Sequence, residues 1–107
     1  MFIYVLTNKI NGKKYVGQTQ NDPFKRWKIH NYNANNPRLR DTIYSGMILY
    51  KAIMKYGKES FELEIIEKCE NIDQLNEREK FWIKELNTCV YSGGVGYNCS
   101  PGGTGYV

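Results

Sequence analysis

Glu79 is the residue whose sequence surroundings point most directly to chemistry. A helix predicted near residues 71–86 places its apolar side chains on one stripe, at about 100° per residue, with Glu79 at the centre. The members of the stripe are Ile72, Leu75, Trp82, Ile83 and Leu86. Burying an isolated carboxylate is costly, so Glu79 should be protonated, paired with a cation or bound to a metal ion. An internal ion pair and a functional site both fit this pattern.

Arg26 and His30 form a second candidate pair, because residues four apart on a helix share a face. A guanidinium offers a fork of donors to a phosphate, and an imidazole can move a proton near neutral pH. The alternative is that both are ordinary surface residues of a basic helix. Tyr4 and Tyr15 lie on two predicted strands, where tyrosines ordinarily serve packing.

The first half of the chain is predicted to hold a hairpin and a helix that carry these residues. Residues 1–7 are apolar on both alternating faces, which is typical of a central strand covered on two sides. The dipeptide Asn11-Gly12 is a strong turn signal, and residues 14–17 return as a second strand. Asp22-Pro23 then begins a helix that should end near Tyr32.

The second half adds a helix, a strand and a long helix. Residues 33–45 are polar and predict a loop, after which residues 48–56 keep helical spacing up to a stop at Gly57. Residues 61–65 alternate as a strand, and residues 71–86 form the helix that carries Glu79. The order β-β-α-α-β-α predicts an α+β fold, with a small three-stranded, mainly antiparallel sheet flanked by helices.

The length of 107 residues suggests one domain, and 41% hydrophobic with 24% charged residues is a globular balance. The longest apolar run, residues 1–6, is too short to span a membrane and no signal peptide is evident, so we expect no membrane partner. Residues 1–58 hold eleven Lys/Arg against two Asp/Glu, whereas residues 59–107 hold four against nine. This asymmetry favours one face for a polyanion, and surface lysines alone would also produce it.

The three cysteines, Cys69, Cys89 and Cys99, form no CxxC pair, and an odd number cannot all pair internally. We expect reduced thiols in a cytosolic protein. A zinc site that combines them with His30 is a lesser alternative, because the spacing typical of structural zinc is missing.

Taken in chain order, several short motifs form a recognisable series. They are Phe2-Ile3-Tyr4, Tyr15-Val16-Gly17, Arg26 with His30, Lys55-Tyr56-Gly57, the segment 77–83 that contains Glu79, and Gly96-Tyr97-Asn98. This series resembles the GIY-YIG nuclease superfamily, and most of all the catalytic domains of phage and viral homing endonucleases. Two positions depart from the family pattern: Phe2 replaces the usual glycine, and Tyr44 stands where some homing enzymes carry a further histidine.

The resemblance implies a metal-dependent endonuclease that hydrolyses phosphodiester bonds in double-stranded DNA. Glu79 would hold a single divalent cation, Mg²⁺ or Mn²⁺, and Arg26 would neutralise charge on the phosphate. Tyr4 is the expected general base, with His30 and Tyr15 able to share the task. A tyrosine base needs a cation or an acceptor close by, for which the hairpin residues Lys13 and Lys14 are candidates.

The remaining expectations concern orientation, DNA contacts and domain limits. Asn98 is expected to orient the site by hydrogen bonds, and Lys13, Lys14, Lys51 and Lys55 to contact DNA. No small-molecule cofactor is expected besides the metal ion. Residues 1–98 would form the catalytic domain, and the glycine-rich residues 99–107 a tail that begins a DNA-recognition segment.

Two other functions fit parts of the sequence. A non-catalytic nucleic-acid-binding module would use Tyr4, Tyr15 and Trp27 to stack bases and lysines to hold the backbone, but it leaves Glu79 without a purpose. A plain interaction domain is the third alternative. Metal-dependent nicking of DNA separates the nuclease from both.

Overall fold

The computed structural model describes residues 1–35, 48–99 and 102. The helices and strands, in chain order, are β1 (Phe2–Asn8), β2 (Lys14–Thr19), α1 (Pro23–Asn35), α2 (Ile48–Tyr56), β3 (Phe61–Lys68) and α3 (Ile72–Glu85). Short 3₁₀ turns follow α2 at Lys58–Ser60 and α3 at Val90–Ser92. The element order confirms the predicted α+β arrangement.

The sheet has the strand order β2-β1-β3, and both pairings are antiparallel. The most apolar strand, β1, is therefore central, as its pattern predicted. The strand β2 lies at an edge of this sheet, with Tyr4 opposite Gly17 and Ile3 opposite Gln18. Because successive residues point to opposite faces, Gly17 and Gln18 belong to different sides of the sheet.

Helices cover both faces of the sheet. On one side α1 and α2 pack over Tyr4 and Leu6 of β1, forming a core that includes Leu49 and Ile53. On the other side α3 packs over Ile3, Val5 and Val16 through Leu75 and Ile83. The layers are thus helices, sheet, helix, and residues of β1 contribute to both cores.

Local capping explains where the helices begin. Asp22 Oδ1 accepts a hydrogen bond from the Phe24 amide at 2.9 Å, which caps α1. Asn71 Oδ1 accepts from the Gln74 amide at 2.8 Å, and Gln74 Oε1 accepts from the Glu70 amide at 2.7 Å. This exchange at the start of α3 resembles a capping box, with the reciprocal bond made to the residue before the N-cap.

The structure differs from the prediction at two places. Helix α1 continues past Tyr32 to Asn35, because Ala34 is buried in the core formed with α2 and packing extends the helix. Ile65, an apolar position of the alternating pattern of β3, has 44% of its surface exposed, and it lies next to a register irregularity in the pairing with β1. The rest of the predicted loop, residues 36–47 including Tyr44, lies outside the described residues.

None of the helices in the described ranges is long and apolar enough to cross a membrane. All three cysteines are free, and Cys69 and Cys89 are buried in the core beneath α3. His30 belongs to the opposite side of the sheet, and within the described part of the chain no three His, Cys, Asp or Glu side chains are grouped so that they could hold a metal ion. The zinc alternative that combined His30 with the cysteines is therefore wrong.

Candidate active site

A line of three hydrogen-bonded side chains joins β1, α1 and α2. The Tyr4 hydroxyl lies 2.9 Å from His30 Nε2, and the Tyr50 hydroxyl lies 3.1 Å from His30 Nδ1. All three residues are buried, and His30 has no exposed surface. His30 is therefore not the surface residue of the alternative interpretation, because both ring nitrogens are engaged inside the fold.

Burial sets the protonation of this line. Burial first, and then the positive charge of Arg26, lower the pKa of His30 from 6.5 to about 3. Burial and the neighbouring Tyr15 raise the pKa of the Tyr4 phenol well above its ordinary value, against the opposing charge of Arg26. At neutral pH the line consists of a neutral imidazole between two phenols, so one ring nitrogen donates and the other accepts.

The lowered pKa of His30 makes stability depend on pH. Between pH 6.5 and about 3 the unfolded chain binds a proton at His30 that the folded chain does not. The free energy of unfolding is therefore expected to fall as the pH decreases, by up to about 1.4 kcal/mol for each pH unit from this group. Urea unfolding of the parent and His30→Gln at about pH 7 and about pH 5 measures this contribution, because the variant lacks the imidazole at position 30. Equal losses of stability in both proteins would contradict it.

Tyr15 and Gly17 of β2 complete the tyrosine side of the site. The rings of Tyr4 and Tyr15 have centroids 6.4 Å apart, and Tyr15 packs edge-on to His30 at 5.7 Å. A Cβ atom at Gly17 would lie 2.3 Å from Tyr4 Cζ and 2.4 Å from its hydroxyl oxygen. A side chain at position 17 would therefore displace the Tyr4 ring, which explains why the strand carries glycine here.

Arg26 supplies the positive charge beside the tyrosines. It lies one helical turn before His30 on α1, is partly buried, and lines a cleft of about 400 Å³. The other residues of the cleft are Thr19, Asn21, Asp22, Lys25 and Ile29. The charge of Arg26 lowers the pKa of both Tyr4 and Tyr15 against their burial.

The predicted choice of Lys13 and Lys14 as the cations beside the tyrosines is wrong. Lys14 Nζ donates to Thr7 Oγ1 at 2.9 Å, at the turn end of the hairpin, and Lys13 is exposed in the turn itself. Tyr4 lies three residues before Thr7 on β1, opposite Gly17 and away from the turn. Arg26 takes the place of the lysines because α1 begins soon after β2 ends, and its first turn lines one cleft with Thr19 of β2.

Glu79 lies on the opposite side of the sheet, in the middle of α3. Its side chain is buried, with 9% exposed, and Oε1 accepts a hydrogen bond from Gln18 Nε2 at 2.9 Å. The neighbouring Arg78 instead pairs with Glu67 at 2.8 Å. The predicted burial of a carboxylate on the apolar stripe is confirmed for Glu79, between Leu75 and Ile83.

The two halves of the site meet around the edge strand β2. Tyr15 faces the side of α1 and α2, whereas Gln18 faces α3 and reaches Glu79. After burial, the charge of Glu79 is the largest cause that raises the pKa of Tyr15. The charges of Glu79 and Arg26 thus act on Tyr4 and Tyr15 from opposite faces of the sheet. This is possible because β2 is an edge strand, beside which the two faces meet.

The Asn98 side chain forms hydrogen bonds with the backbone of β2 and with Thr88. Its Oδ1 accepts from the Val16 amide at 2.8 Å and from Thr88 Oγ1 at 2.7 Å, and its Nδ2 donates to the Val16 carbonyl at 2.8 Å. The side chain therefore pairs with the outer edge of β2 as a neighbouring strand would. Asn98 positions the strand that carries Tyr15, and any direct contact with substrate stays a prediction.

The lysines predicted to contact DNA do not join this cluster. Lys14 lies four residues before Gln18 on β2, about 13 Å away given the rise of a strand, and Lys13 precedes the strand. Lys51 and Lys55 are exposed on α2, and Lys55 Nζ lies 5.2 Å from the centre of the Tyr56 ring. Their contact with DNA stays a prediction.

Three contributors to the site were missed in the sequence. Gln18 follows the strand motif directly, and strand alternation would have placed it on the same face as Glu79. Tyr50 lies among the apolar positions of α2, where nothing marks it as a partner of His30. Gly102, in the segment predicted as a tail, packs against α3, since a Cβ there would lie 3.1 Å from Glu79 Oε1.

The fold and the site define a small α+β nuclease-like domain that gathers tyrosine, histidine, arginine and glutamate around one edge strand. Residues 1–97 match the family model of the GIY-YIG catalytic domain. The chain therefore belongs to the GIY-YIG endonuclease family, as the resemblance implied.

Two proteins of Enterobacteria phage T4 are similar to this chain. Intron-associated endonuclease 1 is 38% identical over 97 residues, which cover 90% of this chain and 35% of that protein. Putative endonuclease segE is 30% identical over 108 residues, which cover 99% of this chain and 43% of that protein. The chain thus spans less than half the length of these relatives.

Solved structures of a homing endonuclease share the fold. The catalytic domain of homing endonuclease I-TevI matches with a TM-score of 0.71 and 35% identity, covering 92% of this chain and 97% of that one. A mutant of the I-TevI catalytic domain matches with a TM-score of 0.73 and 35% identity, covering 92% of each chain.

Proposed function

We propose that this chain hydrolyses phosphodiester bonds of double-stranded DNA with one divalent cation, Mg²⁺ or Mn²⁺, held by Glu79. The observation that carries the proposal is the meeting of two groups around β2: Tyr4, His30 and Arg26 on one face, and the buried Glu79 on the other. The relatives and structural neighbours are named as endonucleases, which supports the reaction class.

The donor atoms around Glu79 fit a hard divalent cation. The carboxylate of Glu79 offers oxygen atoms, which are the ligands that Mg²⁺ and Mn²⁺ prefer, and Gln18 Nε2 holds it by a hydrogen bond. Mg²⁺ commonly binds through one or two carboxylates and keeps several waters, so a single glutamate suffices with water and a phosphate oxygen. When bound, such a cation polarises the scissile phosphate and stabilises the leaving oxygen.

Arg26 binds the phosphate on the other side of the edge strand. It lines the cleft with Lys25 and is partly buried, so part of the residue stays accessible to a phosphate. Two donors on a planar fork match two non-bridging oxygens of a phosphate. Held so, Arg26 neutralises the charge that builds on these oxygens in the transition state.

Tyr4 acts as the general base by passing on its own proton. Since the raised pKa keeps the phenol protonated, Tyr4 can accept a proton from the attacking water only while it donates its own proton to His30 Nε2, 2.9 Å away. This step requires His30 Nε2 as the acceptor, with the Nδ1 hydrogen donated to the Tyr50 hydroxyl. Because the pKa of His30 is lowered to about 3, the imidazolium is short-lived and returns this proton through Tyr4 to solvent after cleavage. Tyr15 packs against both rings and orients them.

The binding-module alternative is weakened by the position of its aromatic residues. Tyr4 has 1% of its surface exposed, and Trp27 packs against Phe61 with ring centroids 5.8 Å apart. Tyr4 is therefore not presented for stacking on bases, which requires an open π-face, and Trp27 is only partly exposed.

Nicking of supercoiled plasmid DNA tests the proposal. We expect the chain to nick DNA in Mg²⁺ or Mn²⁺, and to lose this activity with a chelator. DNA binding should be weak, tolerant of sequence and steeply reduced by salt, because lysines and arginines contact phosphates. Salt-dependent binding without cleavage would identify the non-catalytic module instead, and neither binding nor cleavage would leave a plain interaction domain.

A further inference from the structure

The amide of Gln18 is buried between β2 and α3, directly beside Glu79. Only 5% of the residue is exposed. Its Nε2 donates to Glu79 Oε1 at 2.9 Å and to Asn76 Oδ1 at 3.0 Å. Both hydrogens of the amide nitrogen are thereby used, and one of them holds the carboxylate.

These contacts determine which way the amide points. An ionised carboxylate only accepts hydrogen bonds, so the side of Gln18 that faces Glu79 must be the nitrogen. Turning the amide over would place two acceptor oxygens against each other. The hydrogen bond to Glu79 therefore fixes the position of Gln18 Oε1, and turning the amide over cannot give this oxygen a partner.

The oxygen of this amide is left without a partner. Gln18 Oε1 is buried and accepts no hydrogen bond from the described residues. Buried polar atoms almost always have a partner, and leaving a buried acceptor unsatisfied is costly. Gln18 Oε1, an unsatisfied acceptor beside the Glu79 carboxylate, can accept a hydrogen bond from a donor on a bound ligand.

We propose that Gln18 is a positioning residue for the cation at Glu79. Its Nε2 holds the carboxylate in place, and its Oε1 accepts a hydrogen bond from a water molecule bound to that cation. The proposal rests on the proposed function, because it takes Glu79 as the metal ligand. One amide suits both tasks, since it carries a donor and an acceptor on adjacent atoms.

Mn²⁺ binding to the whole chain without DNA, followed by electron paramagnetic resonance, tests this role apart from catalysis. Gln18→Met keeps the approximate volume but removes both polar atoms. We expect it to bind Mn²⁺ about 10-fold or more weakly, which is the usual effect of removing a group that orients a metal ligand. The matched control is Gln20→Met, at an exposed position just beyond β2, which should bind as the parent does. Thermal melts without metal verify that each variant is folded.

Gln18→Glu tests the direction of the oxygen. It keeps an acceptor at the Oε1 position but replaces the Nε2 donor to Glu79 by a second oxygen. A cation between the two carboxylates relieves their repulsion, so Mn²⁺ should bind at least as tightly as to the parent. Parent-like binding by Gln18→Met, or binding by Gln18→Glu as weak as that of Gln18→Met, would overturn the proposal. Glu79→Gln separates failure of the proposed function from failure of the role of Gln18. If this variant binds Mn²⁺ like the parent, the assignment of Glu79 as the metal ligand is wrong.

Discussion

Replacing Arg26 by alanine is expected to reduce DNA cleavage by about 10²–10³-fold while the protein stays folded. A preorganised donor that stabilises charge in a transition state is worth roughly 3–4 kcal/mol. Arg26 is partly buried at the cleft, and its charge acts on Tyr4, Tyr15 and His30. No apolar core residue is removed by the change, so the packing of α1 against α2 should persist.

Plasmid nicking by folded Arg26→Ala, verified by thermal melting, measures this effect. Lys25→Ala is the matched control, because Lys25 precedes Arg26 on α1, lines the same cleft and is exposed. Its loss should cost only a few-fold through weaker attraction of the DNA backbone. Removing Arg26 should also raise the pKa of His30, since the charge of Arg26 lowers it. Parent-like cleavage by Arg26→Ala would exclude Arg26 from the site.

Glu79→Gln is expected to abolish cleavage and the stabilisation by Mg²⁺ without unfolding the protein. Glutamine keeps the volume, and its oxygen can still accept the hydrogen bond from Gln18 Nε2. It lacks the charge that holds a hard cation, so Mg²⁺ should no longer raise the melting temperature. Without metal the free energy of unfolding of the variant should equal that of the parent or exceed it by about 1 kcal/mol, because a buried carboxylate is replaced.

Thermal melts with and without Mg²⁺, together with nicking and DNA-binding assays, decide this case. Glu77→Gln serves as the control, since Glu77 is exposed on the same helix two residues earlier. It should leave both the metal response and cleavage nearly unchanged. A destabilised but active Glu79→Gln protein would show that the carboxylate serves the fold and not the metal.

The features that could be predicted from sequence are those set by local chemistry. The turn at Asn11-Gly12, the cap at Asp22 and the stop at Gly57 each depend on residues within one or two turns of the chain. Periodicity likewise predicted that Glu79 is buried, because spacing along a helix determines its faces. The end of α1 was placed too early, since packing of Ala34 and not a local signal extends it.

The sequence by itself thus determined the elements, the family motifs and the identity of most candidate residues. Only the tertiary structure decided how they cooperate. It buried His30 between Tyr4 and Tyr50, exchanged the predicted lysines for Arg26, and brought Gln18 to Glu79. These contacts join residues 20 to 61 positions apart. The contact of Gln18 with Glu79 lies on the edge strand β2, around which both faces of the sheet meet. Local pattern predicted that β1 is central, but it carries no information about which helix side chains reach β2, because those contacts are set by long-range packing.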